Sequence, residues 1–302
     1  MSTERSVNQW AEVKPLSRMR EVAAIWMFIK RDFRVQTYFK FAFLMGLIST
    51  VPQLIIFWMI ARFGQSVPEV RALSGGYVNF VISGLVLNSL LAAALTGPYK
   101  GLMDSFWNDR VEIIMVSPLR LPIFVTGLSL GNYVETVLKI IICLGGATLF
   151  LGFTWPQTPN VFAFLAVLIP ALLACTGLGL AAASSVYTLD ARGGQDPILL
   201  VVETISGLIA GVYFPLQVLP GWAQWIAHLV PHTYALDGMR RALFGSDKVP
   251  LLPIHSYLSL PPLAADCLVL TVYAVVVLPI GWKMFQYGIK LARTDGRLSR
   301  WT

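Results

Sequence analysis

Charge is scarce along this chain. Asp, Glu, Lys and Arg make up only 13% of its 302 residues, against the quarter or so usual in soluble domains. Apolar residues reach 56% and mean hydropathy is +0.67, so the chain is built for a bilayer. Acidic residues are the scarcer sign, 16 against 23 Lys and Arg. That excess invites a nucleic-acid partner, but the basic residues stand at the flanks of apolar runs, where orientation signals belong, and no nucleic acid is expected. The three cysteines, Cys143, Cys175 and Cys267, lie inside apolar runs without CxxC spacing. They read as small packing residues, not as disulfides or metal ligands. Histidine is equally sparse. His228 and His232 are four apart, yet no third ligand stands at helical spacing and Pro231 intervenes, so polar tips at the interface are expected in place of a metal site. Also missing are a GxxxxGK[ST] phosphate loop and any soluble stretch long enough for a nucleotide-binding fold. Any ATP that drives this protein is bound by another chain.

What is present is a succession of apolar runs. The first 20 residues are polar and lack the basic start and apolar centre of a cleavable signal. Ser17 offers an N-cap for a helix to about Tyr38. On a helical wheel Val22, Ile25, Trp26, Ile29 and Phe33 share a face, with Arg20, Lys30, Arg31 and Arg34 on the other side. That is the pattern of an amphipathic helix lying in the membrane interface; Met27 and Phe28 blur it, which suits packing against protein as well. Six spans are then expected, about Phe41 to Ala61, Tyr77 to Pro98, Leu121 to Leu151, Val161 to Tyr187, Ile198 to Phe214 and Leu263 to Phe285. With the N-terminus inside, the cytoplasmic segments collect 17 Lys and Arg, against five outside and Lys139 within a span. The positive-inside rule therefore places both termini in the cytoplasm of a cell membrane. The expected fold is all-α, a single transmembrane domain. Residues 1–39 form a cytoplasmic tail and the interfacial helix, 40–286 the six-helix membrane part, and 287–302 a cytoplasmic tail.

Three groups of residues carry the chemistry. Ionisable residues inside a bilayer are functional candidates. Glu135 and Lys139, four apart, share a helix face and serve either as a structural ion pair or in substrate handling and gating. Glu203 has no partner at helical spacing, so it faces a cavity or another helix or is held protonated. Asp266 sits near the outer end of the last span, within reach of water. The pairs Gly127/Gly131 and Gly207/Gly211 permit close helix packing. After Phe214 the chain meets Pro215, Pro220 and Pro231, with Trp222 and Trp225 between them, then Asp237, Arg240 and Arg241. Prolines release backbone groups that lipid cannot satisfy, so this stretch turns back as a re-entrant helix pair, an outer gate between spans five and six. Trp222, Trp225, Ile226 and Leu229 share a face suited to lipid or to a partner. The third group lies in the loop KGLMDSFWNDRVEIIMVSPLR, Lys100 to Arg120, which carries Phe106, Trp107, Ile113, Ile114 and Met115 among charges. Either something docks there or these side chains pack on the loop's own spans.

These features together resemble the membrane subunits of type 2 ABC exporters. The resemblance covers nearly the whole chain and is most specific in the outer stretch, where Gly, Phe-Pro, Leu-Pro and Pro-x-Thr-Tyr followed by Arg recur in order. It implies that the loop helix before Ser117 and Pro118 couples to a separate ATPase. Arg110, Val111, Glu112, Ile113, Ile114, Ser117 and Pro118 form that coupling segment, with Glu112 matching the acidic residue of the family's Gly-Thr-Leu-Glu run. Asp109, Arg110 and Val111 depart from its Gly-Thr-Leu. It further implies an ATPase dimer that holds ATP and Mg, with no cofactor on this chain, and a second permease copy as homodimer or heterodimer. The exported substrate is expected to be hydrophobic or amphipathic, a drug or a lipid. Two alternatives stand beside this reading: a permease for a polysaccharide or glycolipid, and a proton-coupled transporter with Glu203, Glu135 and Lys139 as its relay. A membrane enzyme is not expected, for no nucleophile or acid–base constellation gathers in the sequence.

Overall fold

The computed structural model describes residues 18–38, 40–49, 76–108, 120–189, 196–245 and 260–295, with isolated positions 52, 55, 56, 59, 111, 249, 252, 254 and 255. The coupling residues Arg110, Glu112, Ile113, Ile114, Ser117 and Pro118, the cap Ser17 and most of the expected first span lie outside them. Regular structure among the described residues is helical: α1 (Arg18–Tyr38), α2 (Lys40–Ile48), α3 (Tyr77–Trp107), α4 (Leu121–Phe150), α5 (Val161–Thr188), α6 (Pro197–Ile209), α7 (Gly221–Ala227), α8 (Pro231–Phe244) and α9 (Pro262–Thr294), with a 3₁₀ turn at Leu216–Val218.

Four of these helices, α3, α4, α5 and α9, are long and apolar enough to cross a bilayer. Two of them outrun their expected spans. Helix α3 continues through Pro98 to Trp107, so Lys100 to Trp107 belong to the helix and not to a loop. Helix α9 runs through the basic tail to Thr294. The expected fifth span, Ile198 to Phe214, is shorter than its apolar run. Its helix α6 has 13 residues, about 20 Å of rise against a hydrocarbon core of about 30 Å. The helix stops because Gly211 turns the backbone to φ 87°, a conformation that a residue with a Cβ rarely adopts.

The core forms where α5 packs against α9 and α3, and α3 against α4. Close approach depends on Gly177 and Gly281, whose backbones meet at the α5–α9 crossing; a Cβ on either would strike the backbone opposite. The GxxxG pairs read from sequence behave otherwise. Gly127 receives the Phe28 ring of α1, while Gly207 faces open space and Gly211 serves the turn. Helix α1 thus docks on α4 through buried Phe28, with Arg31 over its ring at 5.1 Å and a Glu21–Arg120 bridge of 3.3 Å. Val22, Trp26 and Phe33 of its apolar face stay exposed. Such a helix can rest on the protein by one side and present the other to lipid. Phe106 is buried edge-on to Tyr187 and Val111 is fully buried, so these two pack on the protein's own helices; Trp107 is half exposed.

Candidate functional site

Two constructions occupy this helical frame: a polar cleft between α3, α4 and α6, and a broken segment folded back beyond the end of α6. Along α3 the cleft is reached by Leu85, Ser89, Ala92, Thr96 and Lys100, and along α4 by Asn132, Glu135, Lys139 and Cys143. Each set recurs at three or four residues, so each is one helix face. Its volume is about 300 Å³, and among the described residues no aromatic lines it. Asn132 stitches the two walls: its Nδ2 donates to the Ala93 carbonyl at 3.2 Å and to Thr96 Oγ1 at 3.1 Å. Lys139 Nζ meets Glu135 Oε1 at 2.5 Å, the pair read from sequence spacing. Glu203 comes to the same cleft from α6, as expected of a carboxylate without a partner on its own helix. The structure therefore brings all three sequence-predicted intramembrane residues together. Lys100, Asn132, Thr96 and Ser89 were missed, because Lys100 read as loop and lone hydroxyls or amides carry no signal without the opposing helix.

Helix α6 is placed at its start by Asp196, whose carboxylate caps Leu199 N at 2.9 Å and accepts from the Ser185 hydroxyl of α5. Beyond its end the backbone must find partners for carbonyls that no helix satisfies. Arg240 of α8 supplies them. Its guanidinium donates to the carbonyls of Gly211 at 2.6 Å, Val212 at 3.1 Å and Phe80 at 3.0 Å, and stacks on the Phe80 ring at 3.7 Å. A cation at the C-terminal end of α6 also complements the helix dipole. Gly84 of α3 leaves the room that Arg240 and Val212 fill.

The prolines beyond α6 act as helix starters. Pro215 opens the 3₁₀ turn, Pro220 caps α7, and Pro231 is the first residue of α8. The Pro-x-Thr-Tyr motif has a physical reason. Thr233 Oγ1 donates to the Ala227 carbonyl at 2.6 Å, and Tyr234 Oη to that of His228 at 3.1 Å, closing the end of α7. Tyr273 of α9 adds a bond to the Leu229 carbonyl at 3.0 Å. Trp222, Trp225 and Leu229 remain exposed on one side, as their shared face predicts; Phe214 is 44% exposed and Pro215 buried.

Against this folded-back segment lies a buried ionic cluster that the sequence did not reveal. Asp237 Oδ2 accepts from Arg241 Nε at 2.7 Å, His255 Nε2 meets Asp266 Oδ1 at 2.9 Å, and Asp266 Oδ2 is 3.9 Å from Arg241. Asp266 is fully buried, correcting the expectation that it reaches water. His232 is also fully buried, 4.0 Å from the Cys175 sulfur, and is no interfacial tip. Burial and the neighbouring Asp266 charge push the Asp237 carboxyl up to about 7, against the pull of Arg241. Burial also lowers the His255 pKa. Donor atoms of Asp237, His255 and Asp266 lie within 4.8 Å of one another, a spacing that suggests a metal. The hydrogen bonds argue against one. Leu252 N–H donates to His255 Nδ1 at 3.1 Å, so the ring's proton is on Nε2, the atom a metal would need, and Arg241 already occupies Asp237.

Apolar helices long enough to cross a bilayer, a charged cleft between them and a capped, folded-back segment at one end make this a polytopic membrane protein of the transport-permease class. A family profile described as ABC-2 type transporter matches residues 23–244, and the chain belongs to that family. Relatives agree. The chain is 23% identical over 227 residues to the inner membrane transport permease YadH of Escherichia coli strain K12, covering 74% of this chain and 80% of that protein. It is also 23% identical over 232 residues to nodulation protein J of Rhizobium meliloti strain 1021, covering 75% and 82%.

Proposed function

We propose that the chain is the permease subunit of an ATP-driven exporter that moves a hydrophobic or amphipathic molecule out of the cytoplasm or inner leaflet. The observation that carries this reading is the convergence of Glu135, Lys139 and Glu203 on one cleft between apolar helices, since ionisable groups at membrane depth mark substrate paths. Membership of the ABC-2 family supports the ATP-driven part, with ATP and Mg held by a separate pair of ATPase chains. The inner membrane is its place, by likeness to the YadH permease, with both termini cytoplasmic by the distribution of Lys and Arg.

In operation, closure of the ATPases pushes on the segment Arg110 to Pro118 and on α1, which sits on α4. The α3–α4 pair then shifts against α6, and the cleft changes the side to which it opens. The second permease copy faces this one, and the exposed Trp222 and Trp225 meet lipid or that copy. Phe214, Pro215, Pro220 and Pro231 shape the outer gate, which Arg240 pins to the end of α6.

The coupling role of the loop is tested by replacing Glu112 and Ile113 together with Ala. The chain is expected to reach the membrane in normal amount while ATP-driven transport falls by roughly tenfold or more, the loss typical of truncated docking anchors. Normal transport in that variant contradicts the assignment.

A further inference from the structure

Which molecule fits the cleft can be read from what its walls leave unsatisfied, taking the cleft as the substrate path. Glu135 and Lys139 satisfy each other at 2.5 Å. Lys100 and Glu203 line the same cavity, and among the described residues neither has an ion-pair partner. A charge at membrane depth is costly without a counter-charge or water.

Their levels along the membrane normal follow from helix rise. Asp196, at the start of α6, is within electrostatic reach of Tyr99 on α3. Glu203 is seven residues further along α6, roughly 10 Å outward, which brings it to the level of Ala92. Asn132 reaches Ala93 and Thr96, so Glu135, one turn beyond it, stands at that same level. Lys100 lies about two turns inward. Among the described residues, Glu203 thus stands without a counter-charge at the level of the Glu135–Lys139 pair, and Lys100 stands without one at the inner mouth.

The neutral groups at the carboxylate level are acceptors as well. Both Nδ2 hydrogens of Asn132 are spent on Ala93 and Thr96, leaving its Oδ1 to accept. The hydroxyls of Ser89 and Thr136 donate to the Leu85 and Asn132 carbonyls of their own helices, leaving lone pairs. A complementary ligand group at this level must be positive and rich in N–H donors, which a primary ammonium is and a quaternary ammonium is not. At Lys100 the complement is an anion. Among the described residues the walls offer no aromatic ring on which a sugar or a planar drug would stack.

We propose that the cleft takes an amphiphile whose head group joins a primary ammonium to an anionic group, with the ammonium at Glu203, the anion at Lys100 and the apolar tail in the surrounding lipid. This rests on the reading of the cleft as the substrate path. It narrows the substrate from any hydrophobic molecule to an aminophospholipid-like one.

The test uses the full chain in nanodiscs of phosphatidylglycerol, with short-chain fluorescent phosphatidylethanolamine and phosphatidylcholine as probes. Binding of the ethanolamine probe is expected to be about tenfold tighter than that of the choline probe, the worth of one charge-assisted hydrogen bond. Glu203→Gln should erase the difference, Glu203→Asp should restore part of it, and Lys100→Gln should weaken both probes alike, since both carry the phosphate. Equal affinity for the two probes in the wild type, or an unchanged preference in Glu203→Gln, overturns the head-group assignment. Thr96→Trp, which fills the cleft, separates that failure from a deeper one. If a glycolipid or an aromatic cation binds the wild type and not Thr96→Trp, the cleft is the path and the head group was misread. If Thr96→Trp leaves the binding of every probe unchanged, the cleft is not the path and both readings fall.

Discussion

Replacing Arg240 with Ala is expected to cost about 3–5 kcal/mol, the scale for breaking a buried, charged hydrogen-bond network. The side chain is buried, and its guanidinium is shared among the carbonyls of Gly211, Val212 and Phe80. Alanine would leave the break after α6 unsatisfied in a region where little water can replace the lost donors. Against a typical total stability of roughly 5–15 kcal/mol this is a large fraction, so folded yield in detergent should drop sharply. Arg240→Lys keeps the charge and loses the planar fork, so it should fall between wild type and Ala. Detergent-solubilised melting curves of the three proteins check the order. Equal melting of wild type and Ala contradicts the pinning role.

The ionic cluster gives the second large effect, one that depends on pH. Arg241→Met removes the cation that lies within ion-pair distance of both Asp237 and Asp266 and leaves the two carboxyls buried together. Breaking a buried pair by removing one partner costs about 3–5 kcal/mol. In the wild type, Asp237 holds its proton in the folded protein up to about 7, whereas the unfolded chain releases it near the ordinary carboxylate value of about 4. The folded state therefore binds more protons between those values. The stability that Asp237 contributes is full below about 4 and is lost as pH rises through about 7. His255 acts with the opposite sign. Burial lowers its pKa, so stability is lost as pH falls below about 6.5, where the unfolded chain takes up a proton that the folded one refuses. As pH rises past about 6.5 the contribution of His255 fades, and the decline from Asp237 comes to dominate over that of the histidine. Melting followed from about pH 6.5 to 8 should fall in the wild type and fall less steeply in Asp237→Asn. An Asp237→Asn profile as steep as that of the wild type would contradict the raised Asp237 carboxyl.

Much of the membrane architecture was legible because apolar length alone defines it. The runs at Tyr77, Leu121, Val161 and Leu263 each became a long helix. The ends were less legible. Lys100 read as loop because charge and Pro98 both suggest an exit from lipid, yet α3 continues and turns Lys100 into the cleft. The shortening of the fifth run came from Gly211, which sequence reading took for a packing residue. Within the site, Glu135 and Lys139 were readable since their partnership is a matter of spacing on one helix, and Glu203 because its lack of a local partner forces it toward a cavity. The Asp237–Arg241–His255–Asp266 cluster was not, for three separate stretches of chain meet there and no local spacing links them. His232 likewise became a buried residue only when α8 was laid on α5. Arg240 stood in view within the outer motif, but its role needed the position of the α6 break. The coupling residues around Glu112 lie outside the described residues, and their role stands on the resemblance and on the experiment proposed for them.

The central claim is that this chain exports an amphiphile with energy from ATP hydrolysed by another chain, and inside-out vesicles carrying the chain together with its ATPase test it most directly. Uptake of fluorescent short-chain phosphatidylethanolamine, measured against vesicles lacking the chain, is expected to stop when ATP is withheld and to persist when a proton uncoupler is added. Uptake that survives without ATP and collapses with the uncoupler would contradict the account and return Glu203, Glu135 and Lys139 to the role of a proton relay.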